Sequence, residues 1–352
     1  MELAPFDLTV HIGSGKTGTT SLQAFLADNR EELVRRGWLY PRTPGPARHV
    51  QFGMLMMPDN ELTQYRAWKR SGETDPEAFR RRVRRRLLSE IGEAAVDNVL
   101  ISDEGMFSSS PRRIAQVRRF ADNRARSLRL VAYVRRQEDH LLSRYQQVVK
   151  MGNTARLTEW YAANGGRMYD YHAVLRRWRD GARADALVVR PFERAKFHQG
   201  SLYQDFVDAA GMGIRADQLV APSDRNESLC AEAVELLRLI NLFRIEEQGA
   251  EPWQITNAPL VRTLAMESGP TLSLPRSDLD AFMARWEEPN RRVAEEFLEE
   301  EDRPLFSSPS RKERVDVQRL DPARLDYYLP LLGLPEAEWA GIRRVAEREA
   351  AA

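Results

Sequence analysis

The chain has 352 residues, of which 30% are charged, yet 53 Lys and Arg against 52 Asp and Glu leave a net charge of only +1. A balance that close argues against a global field drawing the protein onto nucleic acid, and the length allows either one large α/β domain with appendages or two small ones. A single cysteine, Cys230, has no partner for an intrachain disulfide, the start MELAPFDLTVHIG does not read as a leader, and no run approaches the ~20 apolar residues of a bilayer span. A soluble, cytoplasmic protein without membrane insertion is therefore expected.

In chain order, the first element is the apolar run FDLTVHIG, read as a buried strand, followed by the turn GSGKTGTT. A helix starts around Thr19, with Thr19, Thr20 or Ser21 available to cap SLQAFLADNREELVRRG and Gly37 to end it. Its buried stripe is Leu22, Phe25, Leu26 and Leu33. Residues 40–75, with several Pro and Gly, read as a loop-rich insertion, and FRRRVRRRLLSEI as a solvated helix face with acidic partners. Two further buried strands are DNVLISDE and SLRLVAYVRR, and DALVVRPFE is a fourth. These runs lack a polar alternation and are interleaved with helical periods. The fold class predicted is α/β, a doubly wound parallel sheet flanked by helices, with helical additions toward the C-terminus. Amphipathic helices are expected from Ser228 to Glu247 and from Leu279 to Glu301, with Asn226 and Ser228 as caps for the first.

Two stretches carry chemistry. In GSGKTGTT, Gly15, Lys16 and Thr17 fit the end of the G-x-x-x-x-G-K-[ST] pattern, but the position of its first glycine is Val10, inside the strand. The loop is therefore too short for the usual wrap around a phosphate chain. A strand, a glycine turn and a helix start nonetheless offer backbone N–H groups and a dipole end to an anion, with Lys16 as a mobile charge and Thr17, Thr19 and Thr20 as further donors. In LVAYVRRQEDHLLSRYQQVVK, Arg135 ends a strand and Ser143 follows on the next helix, a pair able to converge on one anion.

Together these elements resemble the PAPS-dependent sulfotransferase family, in its bacterial, carbohydrate-acting form. The likeness covers roughly residues 6 to 230, and KTGTT and the Arg135/Ser143 pair carry it. It implies a P-loop-like, three-layer domain over residues 1–306, with 40–75 as an insertion and 228–301 as a helical part, and residues 307–352 as a linker and terminal helix. It further implies that Gly15, Lys16, Thr17, Gly18, Thr19 and Thr20 hold the 5′-phosphosulfate of 3′-phosphoadenosine 5′-phosphosulfate (PAPS). Arg135 and Ser143 would hold the 3′-phosphate, PAP would be the product, and no metal would be needed. Arg136 stands where many eukaryotic members carry Asn-Pro, and no tryptophan adjoins the loop, so the adenine contacts differ.

Sulfuryl transfer places charge on the leaving phosphate oxygen, a role for Lys16, and an acceptor hydroxyl gains from a general base. Glu104, after the second long strand, and His49, in the insertion, compete for that role; Glu104 is preferred because carbohydrate sulfotransferases use a glutamate. His11 is expected to pack beneath the loop. The acceptor expected is a carbohydrate or glycoconjugate hydroxyl, with Trp68, Trp160, Trp178, Trp253 and Trp286 as stacking surfaces or core. The alternative is an ATP- or GTP-dependent kinase or NTPase, in which VLISDE would be a Walker-B strand with Asp103 on magnesium. A catalytically silent binding module on the same fold is a third reading.

Overall fold

The structure is a computed structural model that describes residues 4–222, 228–300, 303–307 and 313–351. Its backbone divides into two compact units. The first comprises Met1–Arg136, Met168–Asp224 and Trp286–Ser307; the second comprises Gln137–Arg167, Arg225–Arg285 and Ser308–Ala352.

The first unit is built on a parallel sheet of β1 (Phe6–Gly13), β2 (Trp38–Leu39), β3 (Asn98–Ser102), β4 (Ala125–Val134) and β5 (Ala186–Pro191), in the order β2-β3-β1-β4-β5. All four long runs read from the sequence are strands of this sheet. Alternation along them sorts side chains to two faces. Phe6, Leu8, Val10 and Ile12 of β1 join Val99 and Ile101 of β3 and Leu128, Leu130 and Ala132 of β4 in one cluster. It is closed by the helices Pro76–Ala94, Pro111–Asp122 and Tyr171–Ala182, through residues such as Phe79, Leu87, Ile114 and Trp178. Leu100, Val131 and Tyr133, from the alternate positions, pack with Leu22, Phe25 and Leu26 of the helix Thr19–Asp28 and with Phe206 of the helix Leu202–Ala209. Helices therefore cover both faces, which is why the central strands carry no polar face.

The details correct several local expectations. Gly18, with φ 71°, holds the cap position of the helix Thr19–Asp28, so the three hydroxyl residues after it lie inside the helix. That helix stops at Asp28, and Asn29 takes its C-cap. The Asn29 side chain donates to the carbonyls of Phe25 and Val220 and accepts from Val220 N, and a second helix, Arg30–Arg35, follows before Gly37. Residues 40–75 are more than a loop. They contain the helices Val50–Leu55, Asp59–Leu62 and Arg66–Ser71 and bury Phe52, Met54, Met56, Met57, Leu62 and Trp68. The arginine run lies on Pro76–Ala94 with its apolar side inward, and Arg80, Arg81 and Arg82 pair with Asp59, Glu77 and Glu73.

The second unit holds the helices Gln137–Lys150, Ala231–Glu246 and Glu336–Ala351 and a two-stranded parallel ladder of β6 (Thr271–Leu272) and β7 (Arg314–Val315). Its terminal helix is tied in by Arg238, only 2% exposed, which donates to both Glu235 oxygens and to Glu349. Cys230, not Ser228, occupies the cap of Ala231–Glu246, and Asn226 lies outside the described residues. The helix expected over Leu279–Glu301 is two, Arg276–Ala284 and Glu287–Leu298. Trp68, Trp160, Trp178 and Trp286 are buried, and Trp178 donates to the Phe107 carbonyl, so these four belong to the core.

Gly13 ends β1 with φ 96°, and a Cβ there would stand 2.8 Å from Glu104 Cα, whereas Gly37, with φ 80°, has open space around it. Gly37→Ala is expected to cost about 1–2 kcal/mol for the left-handed backbone alone. Gly13→Ala should cost roughly 1–3 kcal/mol more, because a backbone must also move. Urea unfolding of both variants measures the difference; equal losses would show that the contact with Glu104 relaxes freely.

Candidate functional site

Parallel strands present their carboxyl ends together, and the loops there are where α/β sheets place their sites. β1 is central, with β3 and β4 on either side, so the turns after these three strands meet.

The turn after β1 is fixed by hydrogen bonds from within. Ser14 N donates to the Tyr133 carbonyl of β4 at 2.6 Å, and Thr17 Oγ1 donates to the Ser14 carbonyl at 2.5 Å. Lys16 adopts a left-handed φ of 65°, and Gly18 turns the chain into the helix. The first intrahelical bond runs from Leu22 N to the Gly18 carbonyl at 3.0 Å, so the amides of Thr19, Thr20 and Ser21 precede the ladder. Gly15, Lys16 and Gly18 are half-buried, Thr17 and Thr19 are buried, and Thr20 is exposed. Ser14 is 1% exposed, and its hydroxyl has no hydrogen-bond partner among the described residues. Thr17, expected as an anion donor, spends its hydroxyl on the loop itself.

At the end of β4, Arg135 Nη1 donates to the Lys16 carbonyl at 2.9 Å, and its own carbonyl accepts from Tyr171 Oη at 2.7 Å. Its guanidinium carbon lies 5.8 Å from the centre of the Phe192 ring. The arginine is thereby attached to the lysine-bearing loop. Ser143 is half-buried on the helix Gln137–Lys150 of the second unit.

After β3 come Asp103 and Glu104. Glu104 borders the turn after β1, because Gly13 leaves room for its backbone and Gly15 faces its Cγ. Its Oε2 accepts from Gln23 Nε2 at 2.6 Å and its Oε1 lies 3.2 Å from Arg48 Nη1. The side chain keeps 18% of its exposure. Asp103 is buried; its Oδ1 accepts from Arg48 Nε and Nη2, both at 2.8 Å, and from Gly105 N at 3.1 Å. Burial pushes the Asp103 carboxyl up to about 6, against the pull of Arg48, and the neighbouring Glu104 adds to the rise. The Arg48 guanidinium is held well above its ordinary range, its desolvation outweighed by Asp103 and Glu104 together. One guanidinium thus serves two acids, with most of its contacts on Asp103.

His49 has no room for the role of base. Ser102 N donates to its Nδ1 at 3.1 Å, so Nε2 carries the proton and donates to the Pro41 carbonyl at 2.9 Å. Both nitrogens are spent on backbone, and the ring is fully buried. His11 lies beneath the loop as expected, with Nδ1 2.9 Å from Ser102 Oγ and its ring edge-on to Tyr133 and Phe206. Sequence reasoning missed Gln23, Arg48 and Ser102. Gln23 falls on the first helix next to its apolar stripe, and Arg48 sits beside His49 in the insertion, so neither position carries a motif.

No family model matches the chain, and no solved structure matches it. An uncharacterized protein of Archaeoglobus fulgidus is 27% identical over 162 residues, 45% of this chain and 42% of that relative, so the match spans less than half of either.

Burial lowers both His11 and His49 to about 3, from an ordinary 6.5. A depressed histidine holds its stabilising contribution above the unfolded value and loses it as pH falls from 6.5 toward 3. Each such ring adds a slope of about 1.4 kcal/mol per pH unit in that window. Asp103 acts in the opposite sense: its raised carboxyl contributes below the ordinary 3.8 and loses that contribution as pH rises to about 6. Unfolding free energies measured by urea between pH 5 and 6 should therefore fall less steeply on acidification in His49→Gln, whose amide can replace both ring contacts. An unchanged slope would show that the ring titrates normally in the fold.

Proposed function

We propose that the chain is a PAPS-dependent sulfotransferase acting on an acceptor hydroxyl, most naturally that of a carbohydrate or glycoconjugate. The observation that carries the reading is the junction of three strand ends. A short glycine turn bearing Lys16 leads into a helix, Arg135 is fastened to that turn, and a partly exposed carboxylate, Glu104, lies against it. The loop also suits an anion in a further respect, since the buried Ser14 hydroxyl has no partner among the described residues and a phosphate or sulfate oxygen would supply one.

PAPS supplies an activated sulfuryl group. In the reaction the acceptor oxygen forms a bond to sulfur while the bond from sulfur to the 5′-phosphate oxygen breaks, leaving PAP. Lys16 offers its ammonium to the charge that grows on that leaving oxygen, and the amides of Gly15, Gly18, Thr19 and Thr20 add preorganised dipoles. Glu104 takes the proton of the acceptor hydroxyl, which makes the oxygen a better nucleophile as the new bond forms. Glu104 is favoured over His49 for this role because both His49 ring nitrogens are bonded to backbone groups. Arg135 serves the 3′-phosphate. The P-loop-like character of the fold belongs to this proposal, supported by the strand-turn-helix around Lys16.

A kinase would use Asp103 on magnesium. That carboxylate is buried and its Oδ1 already accepts three hydrogen bonds, which speaks against the role.

Adenosine 3′,5′-bisphosphate without metal should stabilise the protein to heat, by about 2.7 kcal/mol at a hundredfold excess over Kd. Stabilisation by ATP with magnesium alone would overturn the reading. With labelled PAPS and a panel of saccharides, Lys16→Ala should lower turnover by roughly 10²–10³-fold. Glu104→Gln should lower it by about 10²–10⁴-fold while bisphosphate affinity is retained. A fully active Lys16→Ala enzyme would remove the lysine from the mechanism.

A further inference from the structure

Gln23 is a buried side chain, 4% exposed, on the helix that begins at the turn after β1. Its Nε2 donates to Glu104 Oε2 at 2.6 Å and to Ser102 Oγ at 3.2 Å. An amide nitrogen has two hydrogens, so both are used. The reverse orientation would set an amide oxygen against a carboxylate oxygen, and these partners therefore fix which end of the amide faces Glu104. Ser102 is itself held, through Oγ to His11 Nδ1 at 2.9 Å and through its backbone N to His49 Nδ1. Gln23 is thus anchored at one hydrogen to an immobile strand residue and presents the other to a carboxylate that still reaches solvent.

We propose that Gln23 is a positioning residue: its amide sets the Glu104 carboxylate from the same helix that closes the anion-binding turn, so that base and donor loop share one rigid support. Arg48 steers the other oxygen, but from the segment 40–75 and with most of its contacts on Asp103. Gln23 links Glu104 to the helix of the loop. The inference rests on the reading of Glu104 as the base, and a carboxylate misdirected by about 1 Å loses on the order of 10²-fold in rate.

A double-mutant cycle and a pair of crystal structures test it. Gln23→Leu should lower kcat by about 10–100-fold, with the KM for PAPS and the affinity for adenosine 3′,5′-bisphosphate within about twofold of the parent. In the Glu104→Gln background the same change should have little further effect, since residues acting through one group are not additive. Equal losses in both backgrounds would overturn the proposal. Gln23→Met, which keeps the chain length, serves if the leucine variant does not fold. Independently of any transfer activity, crystal structures of the parent and of Gln23→Leu should show the Glu104 carboxylate in one rotamer in the parent and displaced or in two rotamers in the variant, because the donor that fixes its Oε2 is gone. An unmoved carboxylate would overturn the proposal as well. If the parent fails to bind the bisphosphate, the sulfotransferase reading falls, while the crystal structures still decide whether Gln23 holds Glu104.

Discussion

The close approach of two strand ends, β1 at Gly13 and β3 at Glu104, governs the geometry of the site. Neighbouring parallel strands carry their carboxyl ends to one edge, but side chains normally keep the turns beyond them apart. At Gly13 there is none, and the left-handed backbone lets the chain turn away as Glu104 enters the space a Cβ would fill. A turn rich in backbone N–H groups and a carboxylate thereby become neighbours. Arg135 extends the cluster from β4 by grasping the Lys16 carbonyl. Three strands contribute one group each, and none could do so if the strand order separated them.

Around that edge the polar groups divide by how much water they retain. Asp103 and His49 are buried and committed to fixed partners, Asp103 to Arg48 and Gly105, His49 to the backbone of Ser102 and Pro41. Burying such groups is costly unless each is hydrogen-bonded, and once bonded they act as struts. Glu104 keeps part of its surface, with a donor on each oxygen. Adjacent acids in the sequence thus differ in both burial and partners.

Much of the fold was legible because its signals are local. Long apolar runs without alternation mark strands covered on both sides, and FDLTVHIG, DNVLISDE, SLRLVAYVRR and DALVVRPFE each became one. The glycines between β1 and its helix announced a turn, and one is there. Less legible were features set by distant contacts. β2 is two residues long and owes its existence to pairing with β3, and the run GMLMMP was masked by the Pro and Gly around it although its methionines are buried. Thr19 and Thr20 satisfied a capping pattern, but Gly18 took the position because the chain enters the helix with a positive φ. His49 passed as a base in sequence because nothing local reveals that Ser102 and Pro41 occupy its ring.

The sequence by itself determined the strands, the glycine turn with Lys16, and the arginine at the end of β4, since apolar runs and backbone-permissive residues act over a few neighbours. Tertiary structure alone decided the strand order, the burial of the segment 40–75, and the company kept by Glu104. Gln23 and Arg48 reach it from two separate parts of the chain, and hydrogen bonds between such parts depend on where the backbone has been carried, which no local pattern encodes.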